Sequence, residues 1–379
     1  MRPLRLMVLI QGVTPENQIG YHRAFERMVA MGSLESYHPV PYGSNRSAED
    51  WVYFFQRVLS EVRRNQIDAV LFQFFHLDLP VDPRPFITEL KGLQQCPVVA
   101  VSCGDGFDRW CRPPPSLLRT SSVADLTFST SMGDLSSMLI RSGARRVVLM
   151  PHGACTTRFG SDTYAAKNDT KDFDVVMIAN RYTARNPLRS RLWLGRRRTA
   201  SAVALERRFG HRFGLFGKGW VGHRSWQGEV PYAKQIDTFK RAYVSVGGFP
   251  GSLCDYYHSD RLMIAALSGT PMVEWRTPGI DELLLNQSEC RFVNRTSEML
   301  ESVDMLLSNS EYARTIGAQG QLAVVERHLD EHRTALMVEC LRALRSVGRS
   351  SVNATCPELP YFHRHVDRQA SRRTAILGW

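Results

Sequence analysis

"YYHSDRLMIAALSGTPMVEW", residues 256–275, decides how this chain is read. It reads as a loop, a short helix, a small-residue turn and a strand. Gly269 and Pro271 make the turn and place "MVEW" as the strand. Asp260 and Arg261 stand where the helix should begin, a charged pair at the mouth of an apolar unit.

The same alternation extends in both directions. Upstream, "DVVMIAN", "RFGLFG" and "YVSVGGF" read as strands, and "NPLRSRLWLGRRRTASAVALERRFG" and "YAKQIDTFKRA" as helices. Downstream come "GIDELLL", the strand "CRFVN" and three helices running to about 347. The first half repeats the plan. "LRLMVLIQG", "DAVLFQFF", "CPVVAVSCGD", "ADLTFST" and "RRVVLMPHG" are strands, separated by helical stretches such as "AEDWVYFFQRVLSEVRRN". That helix puts Trp51, Phe54, Phe55, Val58, Leu59 and Val62 on one side. Continuous apolar strands between helices mean parallel sheets covered on both faces. The reading is therefore α/β, with two doubly wound Rossmann-like domains. They are expected at 1–155 and 173–347, with a polar linker at 156–172 and a tail without clear period at 348–379. In such folds ligands bind at the carboxyl ends of the strands, and here also in a cleft between the domains.

A chain of 379 residues is too long for one ordinary core. Its 43% hydrophobic and 22% charged content is that of a globular protein. The net charge of +11 is carried largely by arginine and suits a phosphorylated substrate, a polyanion or a membrane surface. The eight cysteines form no CxxC pair, and no histidine cluster has zinc-ligand spacing, so no metal is expected and a reduced intracellular protein is the simpler reading. The opening "MRPLRLMVLIQG" has too short an apolar run for a signal peptide and is read as the first buried strand. No run reaches the length of a transmembrane helix, and a cytoplasmic location is expected. The basic helix around Arg189–Arg198 is read as a solvated face, with peripheral membrane contact left open. It carries no nucleic-acid motif.

"YYHSDRLMIAALSGTPMVEWRTPGIDELL" resembles the donor-site signature of GT-B glycosyltransferases of the group-1 type, in particular the CgeB-like, spore-maturation branch. "DVVMIANRYTARNPLR", "FGLFGKGW" and the closing helices extend the resemblance over about 172–345, while the first half matches in organisation. The resemblance implies a metal-independent, retaining transfer of sugar from a nucleotide-diphosphate sugar to an acceptor hydroxyl. The nucleotide sugar would be co-substrate, with no cofactor, and the acceptor a glycan, a lipid-linked or a small molecule. In this sequence the helix position where many relatives carry a ribose-binding glutamate is Ile264. Asp260, Glu274 and Glu282 are the acids left nearby.

A diphosphate leaving group needs helix N-terminal amides and cations. Tyr257, His258 and Ser259 would lend backbone N–H groups, Ser259 or Asp260 would cap the helix, and Arg261 would pair with phosphate or brace the loop. Gly279, Ile280 and Asp281 could lend further amides and Glu282 a carboxylate, or form a solvated helix start. Asn180, Arg181 and Arg185 follow one strand end, and Lys218 and Trp220 another. The arginines suit diphosphate. Trp220 either lines a nucleobase pocket or packs in the core. On the acceptor side, Gly20 allows close approach at the first helix, and His22 or Asp105 could act as base. Asp108 and His152 could bind acceptor hydroxyls. For these residues a structural histidine or an aspartate turn is the alternative. A domain pair that binds nucleotide or glycan without turnover, or one that epimerises a sugar nucleotide, are the other readings.

Overall fold

The computed structural model describes residues 2–43, 47–75, 78–109, 111–160, 170–181, 191–248 and 254–347. The chain divides into two compact units. The first runs to Pro151 and takes in the helix that starts at Asp330; the second is His152–Leu329.

The first unit follows a βα alternation: β1 (Leu4–Gln11), α1 (Ile19–Ala30), β2 (Leu34–Tyr42), α2 (Ala48–Arg64), β3 (Ala69–Phe75), α3 (Arg84–Gly92), β4 (Val98–Cys103), α4 (Pro115–Val123), β5 (Leu126–Ser129), α5 (Asp134–Arg141) and β6 (Val147–Leu149). The six strands are parallel in the order β2-β1-β3-β4-β5-β6. β1, β4, β5 and β6 are buried almost throughout, which their unbroken apolar runs require. α2 starts at a capping box, where the Ser47 hydroxyl accepts from the Asp50 amide at 3.1 Å. Its expected stripe from Trp51 to Val62 is buried. Strand β2 was not foreseen in the sequence. It carries Pro39 and Pro41 and lies at the sheet edge, where a strand tolerates prolines.

The second unit contains α6 (Thr156–Phe159), β7 (Phe173–Ile178), α7 (Arg191–Phe209), β8 (Phe213–Phe216), α8 (Gln235–Lys240), β9 (Ala242–Val246), α9 (Asp260–Leu267), β10 (Met272–Trp275), β11 (Arg291–Val293), α10 (Thr296–Ser308) and α11 (Ser310–Arg327). Its five strands are parallel in the order β11-β10-β9-β7-β8. Val175, Met177, Leu205, Leu215, Val244, Val273 and Trp275 belong to one apolar core. The opening stretch folds as read, as loop, helix, turn and strand. Gly269 adopts φ +74°, and the amide of Gln321 donates to the Leu267 carbonyl at 2.7 Å, closing the end of α9.

Two boundaries differ from the expected domains: the first unit stops at Pro151 rather than at 155, and the closing helix changes sides. The closing helix α12 (Asp330–Val347), placed in the second domain by sequence, packs on α1 and β4 of the first unit. Arg27 pairs with Glu331, and Arg345 reaches the buried Asp68 at 3.4 Å. Amphipathicity told that this helix needs a core, not which core takes it. Much of the expected linker and the whole tail from 348 lie outside the described residues, and Thr156–Phe159 within that linker is helical. Among the described residues no helix is long and apolar enough to cross a membrane.

Candidate functional site

In the second sheet the strand order reverses at β7, whose neighbours are β8 on one side and β9 on the other. The carboxyl ends of β7 and β9 are thus the expected ligand edge. After β7 come Asn180 and Arg181. The Asn180 side-chain oxygen accepts from the Lys218 amide at 3.0 Å, and the Arg181 amide donates to the Lys218 carbonyl at 2.8 Å. Lys218 itself is exposed beside Glu229. Trp220 is not a pocket wall. It is wholly buried in the core, and its indole N–H donates to the Ala179 carbonyl at 2.5 Å, tying two strand ends together. Arg185 lies outside the described residues.

β9 is followed by Gly247 and Gly248. A side chain on Gly247 would overlap both carboxyl oxygens of Glu274, and one on Gly248 would meet Ala179 and the Arg198 guanidinium. Arg198 is buried and donates from Nη1 to the Asn180 carbonyl at 2.6 Å. Glu274 is buried at the end of β10, with Oε1 accepting from the Trp275 amide at 2.8 Å. Burial pushes its carboxyl up to about 7, against the pull of that amide and of Arg198.

The start of α9 holds a second cluster. Ser259 is the N-cap, and its hydroxyl accepts from the Arg261 amide at 3.4 Å and the Arg261 guanidinium at 3.2 Å while donating to Asp260 at 2.9 Å. The Asp260 and Arg261 side chains are 29% and 32% exposed, so both can be reached by solvent. Burial alone would raise the Asp260 carboxyl, but Arg261 first, then His152 and the hydroxyls of Tyr232 and Ser259, hold it below the usual carboxylate range. His152 lies edge-on to His258, with ring centroids 6.1 Å apart. Arg158 sits over the Tyr232 ring at 5.1 Å. His152, Arg158, Tyr232 and Asp260–Arg261 therefore converge from three separate segments. Tyr232 and Arg158 have no signal in the sequence that would mark them.

Other expected donor residues are held differently. The Tyr257 amide donates to the Cys254 carbonyl and is not available to a ligand. His258 is buried, with Nδ1 3.0 Å from the Ser259 carbonyl. Gly279 adopts φ +79° under the Tyr256 ring, which leaves no room for a side chain. Ile280 is a core residue whose amide bonds the Thr277 carbonyl. Asp281 pairs with Arg276, and Glu282 accepts from the Tyr256 hydroxyl at 3.1 Å. This loop is braced internally rather than offered to a ligand. Ile264 is wholly buried.

In the first unit, His22 is a structural histidine. It is buried, with Nδ1 3.2 Å from the Tyr37 hydroxyl and Nε2 3.4 Å from Glu26. Gly20, two residues earlier, is buried as well. Asp108 is buried in its own turn and accepts from the Cys111 amide at 2.6 Å. Asp105 stays half-buried at the end of β4, accepting from the Gly106 amide at 2.8 Å. Sequence order placed His152 with the acceptor residues; it belongs to the second unit, beside Asp260. Among the described residues no group of three His, Cys, Asp or Glu side chains is placed to hold a metal ion.

Two Rossmann-like domains of this kind define the GT-B fold, and solved structures share it. A sucrose-phosphate synthase from Thermosynechococcus elongatus aligns over 92% of this chain and 100% of its own, with TM-score 0.59 and 13% identity. A glycosyltransferase from Rickettsia africae aligns over 90% and 98%, with TM-score 0.61 and 9% identity. HepE from Anabaena, solved with UDP, aligns over 90% and 100%, with TM-score 0.58 and 11% identity. Residues 196–339, from α7 into α12, match the model of a family described as glycosyl transferase-like. The chain thus carries a glycosyl transferase-like segment on a GT-B scaffold. No curated protein matches it by sequence.

Proposed function

We propose that this protein is a glycosyltransferase enzyme that moves a sugar from a nucleotide-diphosphate sugar to an acceptor hydroxyl, without a metal ion and with retention of configuration. The observation that carries the reading is the reachable cluster at the start of α9, on the segment matched by the glycosyl transferase-like model. Breaking the bond between the sugar and the diphosphate leaves negative charge on the diphosphate. Arg261 and the first turn of α9 supply the opposite charge, with His152 alongside. Asp260 would repel the anion by itself. Its role in this reading is to hold Arg261, His152 and Tyr232 in place. Arg181 and Lys218, at the neighbouring strand ends, are further cations for the donor. On the first domain, Asp105 is the acid proposed to receive the proton of the acceptor hydroxyl.

Nucleotide binding without turnover is the second reading, and the wholly buried Ile264 favours it, because the second turn of α9 offers no carboxylate. Calorimetry with nucleoside diphosphates and their sugars, with and without EDTA, tests the first step. UDP and UDP-glucose come first, since HepE was solved with both. One donor should bind equally well in EDTA and about 10- to 100-fold more weakly to Arg261→Ala, the worth of a charge-assisted hydrogen bond. Failure of every nucleotide to bind overturns the donor site. Tight binding without sugar transfer to any acceptor selects the second reading.

A further inference from the structure

We infer that Glu274 is a ligand-contacting acid of the second unit, accepting a hydrogen bond from a hydroxyl or N–H on the nucleoside half of the bound donor. The inference rests on the donor reading above. It starts from place: Glu274 sits at the carboxyl edge of the sheet, with its carboxyl seated against Gly247 at the end of β9, where the strand order is about to reverse. Two consecutive glycines strip side chains from that strand end; the room beside Gly247 goes to the Glu274 carboxyl, while Gly248 lies against Ala179 with the Arg198 guanidinium next to it. The fold does not need an acid there. Val273 and Trp275, on either side of it, are core residues, and an apolar side chain at 274 would avoid the cost of burying a carboxyl. Such a costly group at a ligand edge marks a contact rather than a support.

The chemistry follows from its surroundings. Among the described residues, Arg198 from α7 acts on the Glu274 carboxyl, and Glu274 in turn acts on the Cys290 thiol ahead of β11. The carboxyl therefore holds a proton near neutrality, while a ligand O–H or N–H that donates to it favours the ionised form. Binding expels the proton from Glu274 to solvent.

The experiment is calorimetry at pH 7 in two buffers of different ionisation enthalpy. It uses whichever of UDP, ADP, GDP, CDP and TDP binds best, its 2′-deoxy and 3′-deoxy analogues, and a base-swapped nucleotide. Wild type should release about half a proton more than Glu274→Gln, as a group at its own midpoint does. It should also bind about 10-fold more tightly. One analogue should cost wild type that same factor and cost the variant nothing. A deoxy analogue would assign a hydroxyl, and the base swap an N–H. Unchanged affinity and unchanged proton release in Glu274→Gln would overturn the inference while leaving the donor reading intact. If the variant does not fold, wild type alone decides, because binding without proton release beyond that of the nucleotide itself refutes a titrating contact. If no nucleotide binds, the donor reading falls and Glu274's role falls with it.

Discussion

Replacing Glu274 by glutamine keeps the shape of the side chain, and the bond to the Trp275 amide, but removes a titrating group from the core. Burial raises the carboxyl from 4.5 to about 7. At about 1.36 kcal/mol for each pH unit between those two values, ionised Glu274 costs the folded state roughly 3 kcal/mol. The folded protein holds this proton more tightly than the unfolded chain. The stability linked to it is therefore fully present below the ordinary value of 4.5 and is lost as pH rises through about 7. Integrated from pH 5.5 to 8.5, the loss is about 2 kcal/mol in wild type and close to zero in Glu274→Gln. Urea unfolding of both proteins at the two pH values reads the difference. Hydrogen exchange of the β10 amides confines it to the second unit. The variant should match wild type in acid and exceed it in base. Equal losses in both proteins would refute the reasoning, because the carboxyl would then not be the group that titrates. A gain in stability paired with a loss of nucleotide affinity is what a functional acid in a core predicts.

Further outcomes follow from the same contacts. Asp68→Asn should destabilise the first unit by about 2 to 4 kcal/mol, because its buried carboxylate meets Arg2, Arg5 and Arg345 and accepts from the Arg5 amide at 3.0 Å. Burial opposes ionisation of Asp68, but the Arg5 and Arg2 contacts win and hold it below 3.8, so this stabilisation is present above that value and is lost in acid, as a melt at low pH would record. Gly247→Ala should unfold at lower denaturant, and the loss should be largely recovered in Gly247→Ala/Glu274→Ala, where the overlap is removed. Trp220→Phe should cost about 1 to 3 kcal/mol through the lost bond to Ala179. A specific loss of nucleotide affinity at unchanged stability would return Trp220 to the ligand.

The fold was legible because long apolar runs at a βα period admit few arrangements, and residues 256–275 state one such unit almost completely. β2 hid because Pro39 and Pro41 oppose a strand everywhere except at an edge, and an edge is a property of the sheet rather than of the stretch. The site was legible only where its residues are neighbours in sequence. Ser259, Asp260 and Arg261 meet at one helix start, so a capping pattern is enough to place them. Their partners Arg158 and Tyr232 are single residues in unremarked segments, and only folding brings them together. The choice between the two readings of Trp220 has the same origin. Glycines around Trp220 suggested an opening for a base, yet Gly217 serves a close approach to the Ala179 carbonyl. Gly247, read only as the end of a strand, is the one that makes room for a charged group. A glycine announces that something comes close. Whether the visitor is backbone, as at Gly217, an acid, as at Gly247, or a methyl group, as at Gly248, is decided by strands and helices far away in the chain, so the chemistry of this edge belongs to the topology rather than to any motif.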